Sequence, residues 1–185
     1  MPRSSKQPVL LSEMPTFDKE SGALQVVIET PKDSRNKYDY DPECNCFELG
    51  KVLPEGMSFP YDFGFIPSTL GDDGDPLDIL VLMDAPAVTG CRLKARLIGA
   101  IQAEQSEKGK DAIRNDRLIG VAELARQHCG VQKLKDLRPH LLDEIKEFFV
   151  SYNKQEGRKF KPVGDCGADH AMKLVQAGAT KFKGK

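Results

Sequence analysis

Four aspartates lie within seven residues of this chain, directly before an apolar run. Residues 72–78 read DDGDPLD and residues 79–83 read ILVLM, a pattern typical of a turn followed by a buried strand. Carboxylates crowded in this way repel one another unless a cation stabilises their charge. Because hard oxygen ligands select hard cations, the segment predicts binding of Mg²⁺ or Mn²⁺ first, and of Ca²⁺ second.

A solvated acidic turn is the common alternative for such a cluster, but several features favour a metal site here. Gly74 and Pro76 restrict the turn, so its carboxylates point in set directions, and the apolar run anchors it to a core. The interval between Lys51 and Arg92 contains seven acidic residues and no Lys or Arg. We therefore predict a metal site in residues 72–78, which we call the acidic turn.

An oxygen-only site of this kind suits phosphate chemistry, because Mg²⁺ bridges phosphate oxygens and offsets their charge. An acidic pocket alone would repel a phosphate, so the protein must also supply cations. Lys37, Lys51 and Arg117 are the candidates in the predicted strands, although each one alone is typical of an exposed surface residue. Lys37 is a stronger candidate for phosphate binding because it lies between Glu29 and Asp39 on consecutive short strands.

Length and composition narrow the class of protein. At 185 residues with 39% hydrophobic content, the chain suits a single soluble domain over residues 1–185. The net charge of −1 gives no general attraction to nucleic acid or to a membrane surface, and we expect neither as a partner. The N-terminal residues resemble neither a signal peptide nor a spanning helix.

The five cysteines are an odd number, and no pair has the spacing of a metal-binding motif. Cys44 and Cys46 are only two positions apart, and the histidine nearest to them, His128, lies far downstream beside Cys129. A zinc site and a secreted disulfide framework are therefore both disfavoured. Reduced thiols in a cytoplasmic protein fit best.

Short β segments must position these residues over the first two thirds of the chain. Residues 36–40 and 46–52 alternate polar with apolar side chains and predict a hairpin, while aromatic residues in 58–67 lead into the acidic turn. Such short, closely spaced strands are typical of a small barrel or sandwich. The predicted strands are residues 24–29, 36–40, 46–52, 79–83, 91–105 and 114–122.

The last third changes to a helical period. Apolar residues between Leu141 and Tyr152 recur at the spacing of an amphipathic helix, and a second helix is predicted at 167–176. Strands first and helices last argue for an α+β fold, mostly β in its core, with helices packed outside a barrel. Residues 1–20 are expected to form an N-terminal arm, and residues 177–185 a frayed basic tail.

Residues 73–79, which read DGDPLDI, fit the signature of the soluble family I inorganic pyrophosphatases. Further segments resemble the same family in the expected order. The resemblance implies a five-stranded OB-like barrel with two C-terminal helices outside, and Mg²⁺-dependent hydrolysis of pyrophosphate to two phosphates. The further segments are residues 27–31, 36–39, 59–67, 116–121 and 148–152.

The resemblance also implies roles for individual residues. Asp73 and Asp78 hold the metal ions that bind the attacking water, and Asp75 orients that water and takes its proton. Glu29 reaches a metal ion on the substrate side. Two lysines among the substrate contacts stabilise charge on the leaving phosphate. The implied substrate contacts are these lysines, Lys37 and Lys51, together with Arg117, Tyr152 and Asp39.

Several positions depart from the family pattern, so the chain is identified as a divergent member. Lys51 stands where Arg is usual, which exchanges a bidentate fork for a point charge. Phe59 and Phe63 stand where Tyr is usual, and this removes two hydroxyl groups. Asp39 replaces a Glu, and Asn153 occupies the place of a Lys, with Lys154 one position further on as a possible substitute.

The departure with the largest expected effect concerns two family aspartates, which match Gln105 and Asn115. Each amide lends a carbonyl oxygen to a metal but no charge, so at least one metal ion should bind more loosely. Glu104 and Asp116 are adjacent acids that would compensate only if a bulge turned them to the same face.

The favoured interpretation is an active but divergent pyrophosphatase that uses Mg²⁺, with Mn²⁺ possible. The alternatives are a catalytically weak or inactive relative that binds pyrophosphate, a nucleotide or a partner chain, and a hydrolase of another diphosphate. Relatives of this length favour a homo-oligomer, and a hexamer over a dimer.

Overall fold

The computed structural model describes residues 9–184 of the chain. Short 3₁₀ turns at Leu11–Glu13 and Leu134–Asp136 accompany the strands and helices. In chain order the elements are β1 (Leu24–Thr30), β2 (Asn36–Asp41), β3 (Cys46–Val52), β4 (Asp62–Ile66), β5 (Leu77–Leu82), β6 (Arg92–Glu107), β7 (Ile113–Arg114), β8 (Arg117–Ala122), α1 (Leu141–Gln155), β9 (Arg158–Gly167) and α2 (Ala168–Lys183).

Five strands pair edge to edge around a ring, in the order β1, β4, β5, β8, β6 and back to β1. Neighbours in the ring are antiparallel except for β5 and β8, which run parallel. β6 continues past the ring to pair with β7 and β9. The predicted five-stranded, OB-like barrel of an α+β fold is therefore confirmed. The predicted hairpin is also confirmed, since β2 and β3 form a separate two-stranded sheet.

β5 explains why an unbroken apolar run follows the acidic turn. Its side chains alternate between two clusters of the core: Leu80 and Leu82 pack in the cluster that contains α1, whereas Ile79 and Val81 pack in the cluster that contains α2. Because both faces of the strand are buried from Ile79 to Leu82, no polar side chain interrupts that part of it. The acidic turn is thus attached to one of the most deeply buried strands of the barrel.

The C-terminal helix corrects two predictions. α2 continues through Lys183. The predicted helix end at residue 176 is therefore wrong, and so is the predicted frayed tail for residues 177–183. A glycine normally weakens a helix. Gly178 is nevertheless buried inside α2, and a Cβ at its position would lie 2.8 Å from the Leu77 side chain. The glycine therefore permits a close contact between the helix and the start of β5.

The expected order of strands before helices is wrong, because β9 separates the two helices. β9 pairs with β6 outside the ring, and of its ten residues only Phe160 is buried. Such a mostly exposed strand carries little apolar signal. A second missed strand, β4, lies within the aromatic lead-in at 58–67 and is buried along its whole length.

The N-terminal arm is more ordered than expected where the structure describes it. Residues 1–8 of the arm lie outside the described residues. Phe17 forms a β-bridge with Leu24, and the Thr16 hydroxyl donates a hydrogen bond to the Pro67 carbonyl oxygen at 3.0 Å. Within residues 9–184, no helix is both long and apolar enough to cross a membrane.

Candidate active site

A cleft of about 810 Å³ opens where the acidic turn, the β2–β3 hairpin and the C-terminal end of α1 come together. All but three of the residues predicted from the sequence line it. Those present are Glu29, Lys37, Asp39, Lys51, Asp73, Asp75, Asp78, Gln105, Asn115, Arg117 and Tyr152.

The acidic turn is held in a set conformation by its own backbone. The Asp75 N–H donates to the Asp73 carboxylate at 3.2 Å, and the Gly71 N–H donates to the Asp75 carbonyl oxygen at 2.7 Å. Gly74 has a φ of +94°, a backbone conformation that residues other than glycine rarely adopt. This geometry presents both Asp73 and Asp75 to the cleft.

Asp72 differs from its neighbours, because its carboxylate forms an ion pair with Lys181 of α2. It lines a smaller cavity of about 110 Å³ beside that helix and does not line the larger cleft. Lys181, which was expected to lie in a frayed tail, therefore links the acidic turn to α2 through this ion pair.

An ion pair between a buried arginine and a partly buried aspartate lies at the base of the cleft. Arg117 is 5% exposed, and its guanidinium lies 2.7 Å from the Asp78 carboxylate. The guanidinium also lies over the ring of Phe149, 5.1 Å from its centre, and donates to the Asn115 side-chain oxygen. Burial raises the pKa of Asp78, although Arg117 acts in the opposite direction. Any further cation beside Asp78 would hold it ionised.

A second group of charges joins β1 to the hairpin. The Lys37 ammonium lies 3.9 Å from the Glu29 carboxylate and forms a closer ion pair with Asp39. Burial raises the pKa of Glu29 to about 7, despite the nearby Lys37. Burial alone would lower the pKa of Lys37, but the carboxylates of Glu29 and Asp39 outweigh it and raise that pKa. The lysine is therefore a permanent cation at this wall of the cleft.

Gln105 and Asn115 face each other across the β6–β7 side of the cleft, where the Asn115 amide donates to the Gln105 side-chain oxygen at 3.2 Å. The acids expected to compensate for them point elsewhere. Glu104 lies 3.9 Å from Lys161, and Asp116 accepts a hydrogen bond from the Ala103 N–H at 3.0 Å.

Asp116 also pairs with Arg114, and neither acid lines the cleft. The β6–β9 ladder shifts register between Gln102 and Ala103, but the extra residue is Val163 of β9, so the shift does not turn Glu104 into the cleft. Lys154 is exposed and does not line the cleft either. The position of the expected lysine is occupied by Asn153, which is buried and donates to the Phe149 carbonyl oxygen at 2.9 Å.

Five charged residues that line the cleft were missed from the sequence: Glu107, Lys110 and Asp111 at or just after the end of β6, and Glu156 and Arg158 after α1. Glu156 forms an ion pair with Lys51, and Arg158 lies 3.7 Å from the same carboxylate group. Arg158 also lies 3.1 Å from Glu107. Glu156 follows α1 directly, and Arg158 begins β9, whose mostly exposed residues give too weak a strand pattern to place Arg158 at the cleft from the sequence. Burial, and then the charge of Glu156, raises the pKa of the neighbouring Tyr152.

Comparison with known proteins decides the family. The sequence model described as inorganic pyrophosphatase matches residues 26–183. The chain belongs to the inorganic pyrophosphatase family. An inorganic pyrophosphatase of Synechocystis sp. is 40% identical to it over 173 residues, which cover 94% of this chain and 99% of that relative.

Solved structures of inorganic pyrophosphatases have the same fold. The crystal structure from Thermus thermophilus superimposes with a TM-score of 0.84 at 34% identity, covering 94% of this chain and 99% of that one. The structure from Helicobacter pylori gives a TM-score of 0.82 at 32% identity, covering 92% and 99%. The positions predicted to depart from the family pattern, Gln105, Asn115 and Lys51, therefore lie within the part of the chain that the family model matches.

The family implies a divalent metal cofactor, and the donors in this cleft fit one by their chemistry. The acidic turn and β1 supply carboxylates, and none of the described residues that line the cleft is a His or Cys. Within residues 9–184, no three of these carboxylates bring oxygens within 4.8 Å of one another. Asp78 and Glu29 instead face Arg117 and Lys37. The site therefore suits a hard cation by the chemistry of its oxygen donors, although these donors are not yet arranged around a single point.

Proposed function

We propose that this chain hydrolyses inorganic pyrophosphate to two phosphates and that Mg²⁺ is its preferred cofactor, with Mn²⁺ as a substitute. One observation carries the proposal: in a chain of this family, the aspartates of the acidic turn and the cations Lys37, Lys51 and Arg117 line the same cleft. The carboxylates suit cations, and the cations of the protein suit the phosphate oxygens.

The carboxylates divide into metal ligands and one base. We assign Asp73, Asp78 and Glu29 to cation binding. When bound, divalent cations lower the pKa of a coordinated water and offset the charge of phosphate groups. Asp75 accepts the proton of the attacking water, since it belongs to the same restrained turn and lines the cleft. Gln105 and Asn115 add neutral oxygens at the metal side.

The cations of the same cleft hold the substrate. Lys37 and Lys51 bind phosphoryl oxygens and stabilise charge on the leaving phosphate, and Arg117 reaches the cleft from its base. Asp39 and Tyr152 position these groups: Asp39 pairs with Lys37, and the ring of Tyr152 lies 5.1 Å from the Lys51 ammonium.

Phosphate release from pyrophosphate in the presence of Mg²⁺ tests the function. Asp75→Asn removes the proposed base, and we expect kcat to fall about 10³-fold. Asp72→Asn is the matched control, because it makes the same change in the same turn where the side chain faces Lys181. Equal rates in the wild type and in Asp75→Asn would remove the proposal.

A second candidate is a protein of this fold that binds pyrophosphate without turnover. The uncharged Gln105–Asn115 pair favours it, because a loosely held metal ion weakens catalysis more than substrate binding. Calorimetry with pyrophosphate separates the candidates. Tight binding with no phosphate release under Mg²⁺ or Mn²⁺ would support the binder, whereas release from a different diphosphate alone would indicate another substrate.

We further propose that the protein is cytoplasmic and forms a homo-oligomer, with a hexamer favoured over a dimer. All five cysteines are free, as expected in a reducing compartment. The exposed apolar residues of the described chain, among them Val52, Val88 and Leu124, are available for contacts between subunits. Light scattering that gives the mass of a monomer at micromolar concentration would contradict the oligomer.

A further inference from the structure

A second group of metal-ligating side chains lies outside the cleft, at the turn of the β2–β3 hairpin. Asp41 and Cys46 are directly opposite each other in the ladder of the two strands. Cys44 belongs to the four-residue turn between them. A carboxylate oxygen of Asp41 and the sulfur atoms of both cysteines lie within 4.8 Å of one another. Among residues 9–184, no other three His, Cys, Asp or Glu side chains bring their ligand atoms this close together.

The turn that carries these ligands is held by hydrogen bonds that leave the thiols accessible. One oxygen of Asp41 accepts from the backbone N–H groups of Glu43 and Cys44, at 2.8 and 3.3 Å. Asn45 has a φ of +50°, and its side-chain oxygen accepts from the Tyr40 hydroxyl at 2.8 Å. Both cysteines are exposed. The Cys44 thiol donates a hydrogen bond to the Asp41 carboxylate, so two of the three ligand groups are already in contact.

We propose that Asp41, Cys44 and Cys46 form a binding site for a thiophilic divalent cation such as Zn²⁺, separate from the Mg²⁺ cleft. Two thiolates and one carboxylate are ligands that Zn²⁺ accepts, whereas Mg²⁺ avoids sulfur. Binding forms two metal–sulfur bonds and releases one proton from each thiol to the solvent. The exposed side of the site leaves the fourth coordination position to water.

The sequence alone argued against zinc, because two cysteines spaced C-x-C had no histidine or second cysteine pair nearby. The register of the hairpin supplies the missing ligand, since it places Asp41 opposite Cys46. A two-stranded hairpin is marginally stable by itself. A cation at its tip would join the ends of two strands that also carry Lys37 and Lys51 of the cleft.

Co²⁺ is a sensitive probe of this site because sulfur ligation gives a charge-transfer absorption that carboxylate ligation does not. We titrate Co²⁺ into the full chain with a non-thiol reductant, after excess Mg²⁺ has been added to occupy the cleft. The proposal predicts charge-transfer absorption that saturates at one Co²⁺ per chain and disappears when Zn²⁺ is added. Cys44→Ser and Cys46→Ser should each lose it.

Two further variants separate this site from other thiols and from misfolding. Cys129→Ser removes an exposed cysteine elsewhere and should keep the full absorption. Asp41→Asn preserves an oxygen for the turn, so it should fold, keep sulfur ligation and bind Zn²⁺ at least about 10-fold more weakly.

The proposal is overturned if the reduced wild type shows no charge-transfer absorption. It is equally overturned if the Cys44→Ser/Cys46→Ser double variant retains it, because another thiol would then be the ligand. These readouts are independent of phosphate release, so they stand or fall separately from the proposed hydrolysis.

Discussion

Two sides of the cleft can be compared: the turn side, formed by Asp73, Asp75 and Asp78, and the amide side, formed by Gln105 and Asn115. Both sides present side-chain oxygens to the same cavity. The turn side keeps its charge, whereas the amide side has the shape of carboxylates without their charge. In the proposed metal site, the position of the oxygens is therefore separated from the negative charge that would hold the ion.

The neighbours of each side show how the difference is accommodated. On the turn side, the carboxylate of Asp78 needs the buried Arg117 beside it. On the amide side, Asn115 and Gln105 satisfy each other by a hydrogen bond, and Arg117 donates to Asn115 as well. Neutral amides can pair in this way without a cation. The amide side is thus stable without metal, while the turn side depends on a partner of opposite charge.

A substitution on the turn side should have the largest effect on phosphate release. Asp78→Asn removes a proposed metal ligand, and we expect phosphate release to fall by about 10³-fold at saturating substrate. The substitution also leaves Arg117 in a buried position without a full negative partner, which should lower the free energy of unfolding by about 3 kcal/mol. Steady-state kinetics and urea unfolding measure the two losses.

Asp73→Asn is the comparison variant for this experiment, because Asp73 lies in the same turn without a buried arginine partner. It should lose activity while its free energy of unfolding stays within about 0.5 kcal/mol of the wild type. If both variants kept wild-type activity, the turn side would not be the catalytic side.

The turn side could be predicted from the sequence because its signal is local. Seven consecutive residues contain the proposed ligands Asp73 and Asp78, the glycine, the proline and the start of the strand that anchors them. The barrel was predictable for a similar reason, since β1, β5 and β8 are short apolar segments bounded by polar ones. Where both the chemistry and its support lie within a few residues, the pattern is sufficient.

The rest of the site depends on contacts between distant segments. Glu156 is paired with Lys51 although 105 positions separate them, and no local pattern indicates such a pair. Arg158 was missed because β9 is mostly exposed and its strand pattern is weak. The proposed hairpin site was not predicted from the sequence because register, and not spacing, brings Asp41 to Cys46.

Restoring charge to the amide side should have a moderate effect. Gln105→Asp combined with Asn115→Asp supplies two carboxylates where the structure has neutral oxygens. We expect the Mg²⁺ concentration for half-maximal phosphate release to fall about 10-fold, because the charge of the ligands tunes divalent-metal affinity. Gln102→Glu is the control, since it adds charge to the same strand at a residue that does not line the cleft. A requirement for Mg²⁺ that did not change would mean that no metal ion reaches this side.

The smallest effect is expected from the acids beside the amide side. Glu104 faces Lys161 and Asp116 pairs with Arg114, so neither carboxylate reaches the cleft. Glu104→Gln should change the Mg²⁺ requirement by less than about 2-fold, because a surface ion pair 3.9 Å long contributes little. Asp116→Asn should leave that requirement equally unchanged and lower the free energy of unfolding by about 1 kcal/mol, since the Ala103 N–H and Arg114 lose a charged acceptor. A large rise in the Mg²⁺ requirement for either variant would show that these acids replace the missing carboxylates in solution, and the contrast between the two sides of the cleft would then disappear.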